Sequence, residues 1–204
     1  MLLREVPLPE TPRRIAIIKP SALGDIMHAL PTLTALRRRF PDAHLAWVVN
    51  GTYAPLLEHH PDLDAVIAID RSAMRRNWLK GGLAFSRFLW HLRRQHFDLA
   101  IDLQGLLRSG LMALATGART RVGLASAREG ARWCYTHRID DVDGVGHAVD
   151  RCWRVAEALG AGGEKRYGLA VDAAAHVAWT AGHLRSPEAV VGIGRQLLPN
   201  VQRT

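Results

Sequence analysis

Arg13-Arg-Ile-Ala-Ile-Ile-Lys19, running straight into Pro20-Ser-Ala-Leu-Gly-Asp25, decides how the chain is read. The first stretch is apolar and β-branched through its middle, the pattern of a buried strand. It ends in a cation, passes through a loop containing Gly24, and meets a helical pattern that starts near Asp25 and runs to Arg39. Pro31 falls inside that helix and requires a kink or a later start. The same alternation continues outward. His44–Val49, Ala65–Ile69, Leu99–Leu103 and Thr120–Leu124 read as four further strands. Between them lie a short helix over Tyr53–His60, a helix over Leu83–Gln95 with Phe85, Phe88, Leu89 and Leu92 at helical spacing, and a helix over Leu106–Ala115 ended by Gly117. A last helix over Val149–Leu159 is closed by Gly160. Apolar strands alternating with helices predict an α/β, Rossmann-like parallel sheet with helices on both faces. Ligands bind beyond the carboxyl ends of such strands, which selects the loops after Lys19, Asn50, Asp70, Leu103 and Leu124.

Composition narrows the class. At 204 residues, 48% hydrophobic and 23% charged, the chain is neither disordered nor a small disulfide scaffold. Cys134 and Cys152 have neither CxxC nor zinc spacing, and two thiols fit a reducing cytoplasm. The first residues lack a signal-peptide apolar run. The longest apolar candidate for a membrane span, Ile15 to Leu36, is interrupted by Lys19 and Asp25. The net charge of +8 is uneven: residues 41–70 hold five acids and no Lys or Arg, and residues 71–97 hold seven bases and no acid. Basic blocks alternating with acidic ones point to local anion sites and away from nucleic acid.

Five segments carry candidate chemistry. In Lys19–Asp25 the helix N-terminus offers N–H groups to an anion, and Gly24 permits close backbone approach. Asp25 reads as an N-cap or as a general base; a helix N-terminus lowers a carboxylate's basicity, so the base role needs Asp25 turned toward a substrate hydroxyl in apolar surroundings that raise its pKa. Arg75, Arg76 and Lys80 follow the third strand and can fork onto phosphates or carboxylates, whereas Arg87, Arg93 and Arg94 read as a solvated helix face. Gln104 and Arg108 flank Gly105 after the fourth strand. Arg128 sits beside Glu129, which reads as a weak surface ion pair. His147 and Arg151 share a helix face four residues apart. No HExxH or other metal-ligand set is present, so no metal is expected.

Taken in order, these segments resemble glycosyltransferase family 9. The family's loop pattern K-x-S-x-x-G-D-x-x-H-x-L-P is matched by Lys19, Ser21, Gly24, Asp25, His28, Leu30 and Pro31. Arg75-Arg76-Asn77-Trp78, the D-x-Q-G-L segment from Asp102, A-R-E around Arg128, and H-A-V-D-R from His147 follow. His28 and the A-R-E segment fit the type I branch better than type II. The resemblance implies the N-terminal half of a GT-B fold, with the acceptor held here and a nucleotide sugar held by a second domain. It implies that Asp25 is the catalytic base, that Lys19, Ser21 and Gly24 lie near the donor phosphates, and that Arg75, Arg76, Lys80 and Arg128 hold an anionic acceptor. Gln104, Arg108, His147 and Arg151 join them as candidate acceptor contacts. The implied reaction moves heptose from ADP-heptose to the inner Kdo of Kdo-lipid A, with inversion, in the cytoplasm at the inner-leaflet membrane surface and without a cofactor. The expected organisation is an acceptor domain over 1–160, a linker over 161–188, and the start of a donor domain over 189–204. The family's donor-side D-x-G-x-x-H motif does not occur in these 204 residues. Two other classes compete: a non-catalytic module for anionic saccharide or membrane, and a basic nucleic-acid binder.

Overall fold

A computed structural model describes residues 5–8, 10–70, 78–141 and 147–168, the side chains of 78–80 excepted. These residues fall in one compact unit, Met1–Gly168, which is described by itself. Its centre is a six-stranded sheet: β1 (Arg14–Ile18), β2 (His44–Asn50), β3 (Ala65–Ile69), β4 (Leu99–Asp102), β5 (Thr120–Leu124) and β6 (His137–Ile139). The spatial order is β3-β2-β1-β4-β5-β6, and every neighbouring pair is parallel. The order reverses between β1 and β4, so the loops after these strands diverge to opposite sides and leave a crevice at the carboxyl edge.

Alternation along the strands assigns the two faces. Ile15, Ile17, Leu45, Trp47, Val49, Leu99, Ile101 and Val122 form one core beneath α1 (Leu23–Arg39) and α4 (Ala148–Ala158). Ala16, Ile18, Ala46, Val48 and Ala100 form the other core beneath α2 (Trp78–Arg93), α3 (Leu107–Thr116) and a 3₁₀ turn, Ala131–Cys134. Both faces are covered, so the strands read as apolar runs.

α1 begins at Leu23, two residues before Asp25, and continues through Pro31. The missing Pro31 N–H removes one helical bond, and the burial of Ile26, Leu30, Leu33 and Leu36 holds the helix regardless. The segment expected as a helix over Tyr53–His60 is instead a 3₁₀ stretch over Gly51–Leu56 containing Pro55. α2 starts at Trp78 and runs through Gly81 and Gly82. β6 has no counterpart among the five expected strands: it is three residues long, two of them polar, at the sheet edge. Residues 161–168, expected to open a linker, lie in the same compact unit. Arg38 donates to the Glu164 carbonyl at 2.8 Å, and Lys165 pairs with Asp150. The stretch 189–204 lies outside the described residues.

Candidate active site

Lys19 leaves β1 buried, only 7% exposed. Its ammonium donates to the Leu103 carbonyl at 2.9 Å, joining the loop after β1 to the loop after β4 across the switch point. The Trp47 indole donates to the Lys19 carbonyl at 3.2 Å. Asp25 occupies the third position of α1. Ala22 is the N-cap, and the Asp25 carboxylate accepts the Ala22 N–H at 3.2 Å. This is the acidic half of a capping box, since Ala22 has no hydroxyl to make the other half.

The loop after β4 is organised by a buried carboxylate. Asp102 accepts the N–H groups of Gln104 at 2.8 Å and Gly105 at 3.1 Å on one oxygen, and the Tyr135 hydroxyl at 2.6 Å on the other. Burial pushes the Asp102 carboxyl above its ordinary value despite these donors. Burial and the adjacent Asp102 also push the Tyr135 phenol up. The tie depends on Gly123 in β5, where a Cβ would stand 2.4 Å from the Tyr135 ring. Gly105, at φ +72°, accepts the Arg128 N–H at 2.8 Å through its carbonyl and so joins this loop to the one after β5.

On the far side, Asp141 accepts the Ser126 N–H at 3.0 Å, the Ser126 hydroxyl, and Arg151 Nε at 3.2 Å. Arg151 also donates to Ser126 Oγ at 2.9 Å, so its guanidinium braces this loop while facing the site. His147 is the N-cap of α4, with its ring edge-on to His28 at 5.2 Å. His28 sits one helical turn beyond Asp25 on α1.

These loops enclose a cavity of about 430 Å³ lined by Lys19, Asp25, His28, Gln104, Arg128 and Arg151, among others. Lys19, Arg128 and Arg151 line it together with the Asp25 carboxylate, a setting that can hold an anion beside a carboxylate. His28 Nδ1 and Gln104 Oε1 are buried with no hydrogen-bond partner among the described residues. Cys152 also lines the cavity, and burial pushes its thiol up, which keeps it in the unreactive neutral form. Among the described residues no group of three or more His, Cys, Asp or Glu side chains is placed to hold a metal ion.

Ser21 and Arg108 line a second cavity of about 610 Å³ on the α2–α3 side, walled by Phe85 and Met112 and sharing Gln104 with the first. Gly24 is exposed, and a Cβ there would meet open space, so no backbone of this unit uses its smallness. Glu129 does not pair with Arg128 among the described residues; its carboxylate accepts the Leu107 N–H at 3.3 Å. Arg75, Arg76 and the Lys80 side chain lie outside the described residues. Sequence reasoning passed over Asp102 as a site organiser, together with Tyr135, Ser126 and Asp141. Only the Asp-x-Gln-Gly turn signal pointed toward any of them.

A family model, glycosyltransferase family 9 (heptosyltransferase), matches residues 85–181. Lipopolysaccharide heptosyltransferase 1 of Pseudomonas aeruginosa is 36% identical over 143 residues, covering 68% of this chain and 40% of that protein. The Escherichia coli K12 protein of the same name is 30% identical over 142 residues, covering 68% and 44%. The solved structure of E. coli heptosyltransferase WaaC with ADP-2-deoxy-2-fluoro heptose superposes with a TM-score of 0.66 at 28% identity, over 76% of this chain and 51% of WaaC. The chain thus spans about half the length, or less, of the relatives it matches.

A parallel sheet of this order, opening at the β1–β4 crevice and superposing on WaaC, is the Rossmann-like N-terminal half of a GT-B fold. The chain belongs to glycosyltransferase family 9.

Proposed function

We propose that the chain supplies the acceptor-binding and catalytic-base half of a type I lipopolysaccharide heptosyltransferase, working at the cytoplasmic face of the inner membrane. The observation that carries this reading is the convergence of Lys19, Asp25, His28, Gln104, Arg128 and Arg151 on one cavity at the switch point. In the proposed reaction, Asp25 takes the proton of a Kdo hydroxyl. The freed oxygen attacks the anomeric carbon of the heptose, the bond from that carbon to the ADP phosphate oxygen breaks, and ADP leaves with inversion. Arg128, whose side chain has no hydrogen-bond or ion-pair partner among the described residues, offers its fork to an acceptor carboxylate or phosphate, and the buried Lys19 ammonium sets a positive potential beside the developing charge. Arg151 acts by holding Ser126 and Asp141 in place. Arg75, Arg76 and Lys80 are proposed to extend the acceptor contacts.

The test is a chimera in which residues 13–168 replace the matching region of the Pseudomonas relative. It should transfer heptose from ADP-heptose to Kdo-lipid A. Asp25→Asn should slow transfer about 10²–10⁴-fold while leaving acceptor binding within a few-fold. Transfer at the unsubstituted rate would remove Asp25 from the base role. The binding-module reading keeps the same cavity for an anionic saccharide and predicts binding by a chimera that transfers nothing.

A further inference from the structure

The layer formed by α2, α3 and the Ala131–Cys134 turn differs from the rest of the unit. None of its residues is acidic, whereas α1 and α4 on the other face both carry acids. Five of the eight exposed large hydrophobic side chains among the described residues lie on it: Leu83, Trp90, Leu107, Leu114 and Trp133. On α2 the inner side is Phe85, Phe88, Leu89 and Leu92, and the outer stripe is Leu83, Arg87 and Trp90, continued by Arg94 just past the helix. Trp90 is 62% exposed with the Arg94 guanidinium 4.6 Å above its ring, and Trp133 is 71% exposed with Arg132 and Arg138 at 5.2 and 5.0 Å. The Glu129 carboxylate is turned to the N-terminus of α3, where it accepts the Leu107 N–H.

We infer that this face lies on an anionic phospholipid bilayer, with Trp90 and Trp133 at the headgroup level and the arginines around them on lipid phosphates. Large exposed indoles ringed by guanidinium groups suit an interface that is apolar on one side and negatively charged on the other. The inference deepens the membrane part of the proposed function and is independent of sugar transfer. Its consequence for that reading is geometric. The 610 Å³ cavity lies between α2 and α3 and shares Gln104 with the Asp25 cavity, so a bilayer on this face would stand beside the site.

Flotation of the full chain with vesicles of phosphatidylethanolamine and phosphatidylglycerol, against pure phosphatidylcholine, tests it. The chain should float with the anionic vesicles and be released by salt. Trp90→Glu with Trp133→Glu should lower partitioning at least about tenfold. Arg87→Gln with Arg94→Gln, which leaves the apolar side chains, should lower it about fivefold per arginine. Tyr167→Glu, at an exposed site off this layer, should change nothing, and circular dichroism of every variant should match the parent. Absence of binding to the anionic vesicles, or binding indifferent to the Trp and Arg substitutions, overturns the inference. So does a dimer, seen by sedimentation velocity, that the Trp substitutions abolish, since that assigns the face to a second copy. Transfer by the chimera to a soluble, delipidated acceptor is measured separately: its survival in the Trp variants separates loss of membrane docking from failure of the catalytic reading.

Discussion

At the scale of single residues, two carboxylates in this unit do opposite work. Asp25 faces a cavity and holds only a cap bond, whereas Asp102 is sealed inside and holds a loop. The half-made cap at Ala22 gives a direct test. Ala22→Ser supplies the missing hydroxyl and should stabilise the fold by about 1 kcal/mol, read as a rise of about 2–4 °C in Tm. Asp102 gives a pH test. Burial raises its carboxyl above the ordinary 3.8, so the folded state keeps a proton that the unfolded chain has released. Its contribution to stability is therefore full below 3.8 and is lost as pH rises through the folded-state value. Asp102→Asn does not titrate and keeps an acceptor for the Gln104 and Gly105 N–H groups. Urea midpoints should favour the variant progressively more as pH rises toward neutral; a constant gap would show that the carboxyl is not raised.

At the scale of elements, the site depends on one glycine. Gly123→Ala drives a methyl into the Tyr135 ring, which rests on β5 with its hydroxyl on Asp102. The cost should be about 1–3 kcal/mol in denaturant unfolding. The displaced hydroxyl should also loosen the Gln104–Gly105 turn, so that acceptor affinity falls by more than Ala22→Ser changes it. This is also where the sequence becomes hard to read. Lys19, Asp25, Gln104 and Arg128 were legible because each follows an apolar run, and the carboxyl edge of such runs faces ligand. The Tyr135–Asp102 bond spans 33 positions and leaves no local periodicity. The Ser126–Asp141–Arg151 brace crosses two loops and a helix in the same way. Strand β6 was illegible for a different reason: His137 and Arg138 carry no apolar signal, and the strand exists because Val122, Gly123 and Leu124 offer a free edge. Asp25 was placed at the helix start, and its offset to the third position followed from the Leu23-Gly24 turn, which lacks a conventional capping side chain.

At the scale of the whole molecule, the compact unit ends at Gly168. Its C-terminal stretch is tied back by Lys165 to Asp150 and by the Tyr167 carbonyl to His60 at 3.3 Å. We expect residues 1–168 expressed alone to unfold cooperatively, with a urea midpoint matching that of the full chain. A broad or much lower transition would place part of the core's support in residues 169–204.

Because every strand runs the same way, all of the chemistry described here hangs from one rim of the sheet. The opposite rim carries joints, such as the Asp98 carboxylate accepting the Arg13 and Arg14 N–H groups at 2.9 Å, beside a cavity of about 520 Å³ that none of the proposed chemistry uses. That rim is the place for a handle. A support that grips the protein by that rim would leave the Lys19–Asp25 cavity at the carboxyl edge pointing into solution, ready for immobilised screening.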